Sequence, residues 1–287
     1  MSESRYQLID FGDGRKLESL AGYITDRPSP AAIDDRKSDP GRWRQADAYF
    51  DAQRKAWRFA KPWPPQLTLQ CDGFQMPVRP TPFGHIGVFP EQADNWRWLQ
   101  SLPAKPDEPE SSRALNLFAY TGASTMAMVS AGYHVAHVDA ARPNVQATRE
   151  VAQRNGWGDA PIRYLVDDAA KFAAKEVRRG RVYHTIVLDP PAYGHTPQGK
   201  AWRLERDLWP LLENCLKLIE PGHFRLLLTG HSPQVDQRDA ARFFGEAPLL
   251  RGGGLRTGLH IDSGRSQLKD AAGRSLDAGF YVRVSSD

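Results

Sequence analysis

Residues 114–139 read ALNLFAYTGASTMAMVSAGYHVAHVD, and residues 183–194 read YHTIVLDPPAYG. The runs ALNLFA (114–119), HVAHVD (134–139) and YHTIVLD (183–189) are apolar almost throughout, the pattern of strands buried on both faces of a parallel sheet. Working outward, IRYLV (162–166) and FRLLLTG (224–230) repeat the pattern, with helical stretches between at 122–132, 143–156, 168–179 and 203–220. Repeated strand–helix units predict right-handed crossovers and a doubly wound sheet. At the end, GLRTGLHID and GFYVRV follow each other with no helix between them. The expectation is an α/β fold: a mostly parallel seven-stranded sheet closed by an antiparallel hairpin.

The first hundred residues read differently. Thirteen of the 22 prolines and five of the eight tryptophans lie before residue 114. Gly12-Asp13-Gly14 and Asp72-Gly73 are hairpin signals between short strand-like runs. The predicted organisation is a small β-rich region over 1–102, a linker over 103–113 (composition PAKPDEPESSR) and a sheet domain over 114–287. Of the net charge of +4, none comes from residues 1–113, with 16 basic and 16 acidic groups; the remainder holds 22 and 18. That excess supports at most a basic rim around a pocket. Two cysteines exclude a disulfide scaffold and a Cys-rich zinc site, so no metal is expected. The apolar runs are too short for a membrane span, and no signal-peptide stretch opens the chain. A cytoplasmic protein is expected.

Ligands of doubly wound sheets bind outside the carboxyl ends of the strands. There the sequence places Ala119-Tyr120-Thr121-Gly122, a small-residue turn into a helix, without the G-x-G-x-x-G of dinucleotide sites. Asp139 ends the second strand, where a carboxylate can accept ribose hydroxyls or cap the next helix. Asp167-Asp168 follows the third strand, with the same choice between an adenine amino group and an N-cap. Asp189-Pro190-Pro191-Ala192-Tyr193-Gly194 ends the fourth; two prolines stiffen the chain and Tyr193 offers a stacking face.

Together, ALNLFAYTGAST, HVDAARPNVQATREVAQRNGW, VDDAAKF and TIVLDPPAYG resemble the class I S-adenosylmethionine-dependent methyltransferases, and more narrowly the bacterial large-subunit ribosomal RNA methyltransferases, over about residues 80–284. The resemblance implies a Rossmann-like sheet, S-adenosylmethionine as cofactor and RNA as partner. It assigns Asp139 with Ala140 to the ribose, Asp168 with Ala169 to the adenine, and Phe118, Tyr120, Thr121, Gly122 and Asp189 to the cofactor's remaining surface. Phe89 and Gln92, in HIGVFPEQADNW, would close over it. Asp189, Pro190, Pro191 and Tyr193 would form the methyl-transfer site.

Two departures shape the expectation. Relatives that methylate carbon 5 of a pyrimidine have a cysteine after the fifth strand, as thiolate addition to the ring requires; here His231-Ser232 stands there. Cys215 falls on the apolar stripe of a helix, and Cys71 in the proline-rich N-terminal region. Nitrogen methylation is therefore expected, with Asp189 orienting the nitrogen as in acid-Pro-Pro-aromatic amine methyltransferases. Second, residues 1–75 show no recognisable RNA-binding domain. What remains for substrate is HTPQGKAWRLER, where Lys200, Trp202, Arg203 and Arg206 could form a lid, with His231 beside it. The alternatives are methyl transfer to a small molecule or a protein side chain, and a non-catalytic module binding cofactor or RNA.

Overall fold

The computed structural model describes residues 5–102, 112–195, 201–220, 223–251 and 258–286. It divides into two compact units, one of residues 1–93 with 266–278, the other of 94–265 with 279–287. The division falls before the expected boundary at 102, and most of the expected linker lies outside the described residues.

The first unit is built on β1 (Tyr6–Gly12), β2 (Arg15–Leu20), β3 (Tyr23–Pro28), β4 (Ala48–Asp51) and β5 (Ala56–Phe59), in that order across one sheet. The predicted Gly-Asp-Gly turn joins β1 to β2; neighbours are antiparallel except β3 and β4. A one-turn helix α1 (Pro40–Trp43) precedes β4, and β6 (Thr68–Cys71) pairs with β7 (Phe74–Pro77) across Asp72-Gly73. Polar groups are buried in this sheet in matched sets. Glu18, fully buried, accepts from Arg27 Nε at 2.6 Å and from Tyr6 Oη at 2.8 Å, and pairs with Lys16 at 3.0 Å. Asp10 accepts from the amides of Phe11, Ser38 and Asp39, from Trp43 Nε1 and from Arg274.

The second unit contains α2 (Ala93–Gln100), β8 (Arg113–Leu117), α3 (Ala123–Ser130), β9 (His134–Asp139), α4 (Arg142–Arg154), β10 (Ile162–Val166), α5 (Ala169–Arg178) and β11 (Thr185–Leu188). A short hairpin, β12 (Tyr193–His195) and β13 (Ala201–Arg203), leads to α6 (Leu204–Leu216), β14 (Phe224–Gly230), α7 (Gln237–Glu246), α8 (Pro248–Arg251), β15 (His260–Lys269) and β16 (Ser275–Ser286), of which residues 266–278 belong to the first unit. The sheet order is β10-β9-β8-β11-β14-β16-β15. β10, β9, β8, β11 and β14 run parallel, and β16 is antiparallel to β14. This is the expected seven-stranded doubly wound sheet. Its central strands β8, β9, β11 and β14 are largely apolar because helices cover both faces: Leu115, Leu117, Val138, Ile186, Leu188, Leu226 and Leu228 are all fully buried. At ~25 cal/mol per Å² of apolar area, each contributes roughly 2 kcal/mol. The chain winds outward from β8 on one side and from β11 on the other, so the switch point lies between their carboxyl ends. Among the described residues no helix is long and apolar enough to cross a membrane.

Candidate active site

Four strand ends converge on the switch point. Leaving β8, the chain takes left-handed backbone at Phe118 (φ 56°), Tyr120 (φ 50°) and Gly122 (φ 91°). Non-glycine residues in that region cost about 1–2 kcal/mol each, so neighbours must hold this loop in shape. Ala119 N donates to Val138 O, Tyr120 N to Asp139 Oδ2 at 2.8 Å, and Thr148 Oγ1 to Tyr120 O at 3.3 Å. Gly122 lies against α4 so closely that a Cβ there would stand 2.4 Å from Thr148 Cγ2.

Beneath the loop runs a buried uncharged network. Asn116 Nδ2 donates to Thr125 Oγ1 (2.9 Å), which meets His137 Nδ1 (2.9 Å); His137 Nε2 meets Thr148 Oγ1 (3.2 Å), which donates to Asn144 O (3.1 Å). One proton arrangement satisfies every member: Thr125 donates to Nδ1, and Nε2 carries the hydrogen. His137 is fully buried, and burial lowers its pKa to about 3, so the ring is neutral. Sequence reading missed this network, though its signal was present. Asn116 and His137 are polar interruptions of otherwise apolar strands.

The three aspartates stand at strand ends. Asp139 accepts from Tyr120 N on Oδ2 and from Ala141 N (2.8 Å) and Asn144 Nδ2 (3.0 Å) on Oδ1. Burial raises its pKa, against the lowering by those donors. A carboxylate has about four acceptor sites, so one remains on Oδ2, enough for a single hydroxyl. Ala140 follows, partly exposed. Asp168 caps α5 through Oδ1 on Lys171 N (2.8 Å), with Ala169 buried behind it; the structure gives Oδ2 no partner among the described residues. Both aspartates thus serve as helix-end acceptors and keep an oxygen for a ligand. Asp189 accepts from Thr229 Oγ1 at 2.7 Å, which ties the end of β11 to that of β14.

Beyond Asp189, Pro190 is buried while Pro191 and Tyr193 are exposed, Tyr193 by 55%. Trp202 differs from its expected role. Its ring is buried against Phe118, centroids 4.9 Å apart, and its Nε1 donates to Pro191 O at 2.7 Å. The indole therefore pins the Pro-Pro turn instead of facing solvent. Arg203 is exposed, and Arg206 pairs with Asp207. Lys200 lies outside the described residues. His231 is exposed just past β14, where a Cβ on Gly279 would come within 2.7 Å of its ring. Phe89 and Gln92 flank a 3-10 turn in the first unit, with Gln92 buried.

Neither thiol is available as a nucleophile. Cys215 is buried in α6 and its pKa is pushed far up by burial; that of Cys71 is pushed to about 12 by burial and Asp72. Among the described residues no three His, Cys, Asp or Glu side chains converge as a metal site.

Asp139 keeps one acceptor site on Oδ2, and Asp168 keeps its Oδ2, both at strand ends next to a loop of left-handed backbone; carboxylate oxygens of this kind accept from hydroxyl or amino groups. Comparison with known proteins agrees with that chemistry. No established protein-family profile matches the chain. Over 117 residues it is 30% identical to ribosomal RNA large subunit methyltransferase K/L of Methylococcus capsulatus, covering 40% of this chain and 16% of that protein. Over 205 residues it is 28% identical to ribosomal RNA large subunit methyltransferase I of Aeromonas hydrophila, covering 70% and 48%. The chain thus spans less than half the length of either relative. The crystal structure of a SAM-dependent methyltransferase from Agrobacterium tumefaciens superposes with a TM-score of 0.86 at 32% identity, covering 98% of this chain and 90% of that one. On that near-complete match, the chain belongs to the S-adenosylmethionine-dependent methyltransferases.

Proposed function

We propose that this methyltransferase modifies a nitrogen of a nucleobase in ribosomal RNA. The observation that carries the nitrogen is Asp189-Pro190-Pro191 with Tyr193 at the switch point, in a unit whose one thiol is sealed in α6. The relatives named for ribosomal RNA support the substrate class.

Bound S-adenosylmethionine supplies an electrophilic methyl group. Asp139 holds one ribose hydroxyl on its remaining acceptor site, and Asp168 Oδ2 accepts from the adenine amino group. Phe118, Tyr120, Thr121 and Gly122 shape the cofactor's bed. Asp189, its rotamer set by Thr229, accepts a hydrogen of the target nitrogen and leaves the lone pair directed at the methyl group. Pro191 O is taken by Trp202, so the Pro190 carbonyl is the second acceptor. Tyr193, half out in solvent, stacks on the target base. Orientation does most of the work, since the transfer needs an in-line approach and little else.

The test is methyl transfer to total RNA from a strain lacking this gene, with identification of the modified nucleoside. Asp189→Ala is expected to keep cofactor affinity and lose turnover. Asp139→Ala is expected to weaken cofactor binding by about 1–3 kcal/mol, measured by calorimetry. A methyl group on carbon overturns the nitrogen assignment, and methylated protein or small molecule with unmodified RNA overturns the substrate class.

A further inference from the structure

The first unit carries a surface that methyl transfer does not use. β5 is an edge strand, and residues 52–56 and 58–62 around it are exposed throughout. Trp57 and Phe59 alternate onto one face of β5 and stack, with centroids 6.3 Å apart and planes 12° apart. Trp63 meets them edge-on at 5.6 and 6.3 Å. The indole N–H of Trp57 donates to Thr81 O (2.8 Å) and that of Trp63 to Val78 O (3.0 Å). Both polar edges are thus anchored to backbone, and the rings are fixed before any ligand arrives. Phe59 is 48% exposed; Phe83, two residues beyond the Thr81 that anchors Trp57, is 81% exposed. Exposed aromatic area of this kind marks an interaction site more than a surface meant to stay in water.

Its surroundings select the partner. Arg54, Lys55 and Lys61 are exposed around the same hairpin, and Arg58, between the two rings in sequence, is exposed on the other face of this edge strand. Two carboxylates oppose these four cations: Asp51, 4.0 Å from Arg54 and 3.5 Å from Arg58, and Asp47, 2.5 Å from Lys61. The even charge of residues 1–113 therefore conceals a local excess. A protein partner covering the rings would also have to cover Lys55 and Lys61, and lysine is depleted in protein interfaces. A single nucleic-acid strand needs both features, because every base has a face to stack and every phosphate a charge to neutralise.

We infer that the β4–β5 edge is a docking surface for single-stranded RNA, with bases stacked on Phe59 and Trp57 and phosphates on Arg54 and Arg58. The inference rests on the RNA reading above and adds to it a contact remote in sequence from the transfer motifs. It predicts that the full chain binds a fluorescein-labelled, mixed-sequence single-stranded oligoribonucleotide, followed by anisotropy across a salt series. Arg54→Gln with Arg58→Gln weakens binding and makes the log–log salt slope shallower by about 1.4, from two lost phosphate contacts. Phe59→Ala weakens binding roughly tenfold, and Phe59→Trp restores it. The thermal midpoint and S-adenosylmethionine affinity, unchanged in each variant, establish that the protein is folded. Unaltered affinity and slope in all variants, with RNA methylation intact, overturn the docking surface and leave the functional reading standing. A native chain that binds no RNA and methylates a protein or small-molecule fraction overturns both.

Discussion

The two sheets bury polar groups in opposite ways. In the first unit they are ions: Glu18 with Arg27 and Lys16, and Asp10 with Arg274. In the second, beneath the loop after β8, they are neutral: Asn116, Thr125, His137 and Thr148, joined one to the next, while the buried Glu176 of α5 is held by Arg179 and Tyr183. A buried ion set is intolerant of losing one member, since the partner left behind is an unpaired charge. A neutral chain tolerates more, but its histidine must stay unprotonated. The first arrangement fixes a sheet; the second supports a loop bent into left-handed backbone at the switch point.

The largest expected effect tests the ionic side. Glu18→Ala leaves Arg27 buried without its carboxylate and Tyr6 without its acceptor, and should cost about 3–5 kcal/mol. Hydrogen exchange read separately over 5–93 and 112–251 should show the loss in the first unit. Equal loss in both units breaks the comparison.

How far the sequence revealed these two regions differs for the same physical reason. The strands 134–139 and 224–230 are legible to the residue because burial on both faces makes most of each segment apolar; 162–166, at the sheet's edge, is legible from apolar residues that are only partly buried. The positions of Asp139, Asp168 and Asp189, at or just past strand ends, are legible because the apolar runs stop there. β4 and β5 were not read: AYFD and AWRF mix aromatic and charged residues on an edge with one exposed side. The hairpin β12–β13 was read as a lid, since nothing local announces that Trp202 turns inward to Pro191. His137 was passed over because its partners come from other elements, α3 and α4, which only the folded chain brings near.

Next in size is Gly122→Ala. It adds a Cβ into Thr148 and imposes left-handed backbone on alanine, together about 2–4 kcal/mol, with weaker binding of S-adenosylmethionine by calorimetry. Thr148→Ala in the same chain removes the clash and the strap on Tyr120 O together. If it restores stability but not affinity, the neutral network serves the loop.

Acid separates the two sheets by pH window. His137 has a folded pKa near 3, below its ordinary value of about 6.5, so the folded state excludes the proton that the unfolded chain takes up. Its contribution is whole above pH 6.5 and falls as pH drops toward 3, by about 2 kcal/mol at pH 5. Burial alone would raise the pKa of Glu18, but Arg27 and Lys16 bring it down to about 2. Its contribution stays whole until about pH 4.5 and is lost below. Between pH 6.5 and 5 the second unit should loosen more than the first, where burial, Arg27 and Lys16 also hold His85 below its ordinary value, read by the same hydrogen-exchange windows. His137→Gln should abolish that early loss. A first unit that loosens earliest reverses the assignment.

The smallest effect falls on the contact that joins both sides of the active site. Thr229→Val keeps the shape of a nearly buried side chain and deletes the hydrogen bond to Asp189 Oδ1. A donor to a carboxylate contributes about 1.5 kcal/mol at the low end of its range, so turnover should fall roughly tenfold. Cofactor affinity should hold, because Thr229 touches none of the acceptors left on Asp139 and Asp168, and Thr229→Ser should recover most of the rate. The split between turnover and affinity carries the argument. A loss confined to affinity would make Asp189 part of the cofactor's bed and return the nitrogen's acceptor to the Pro190 carbonyl.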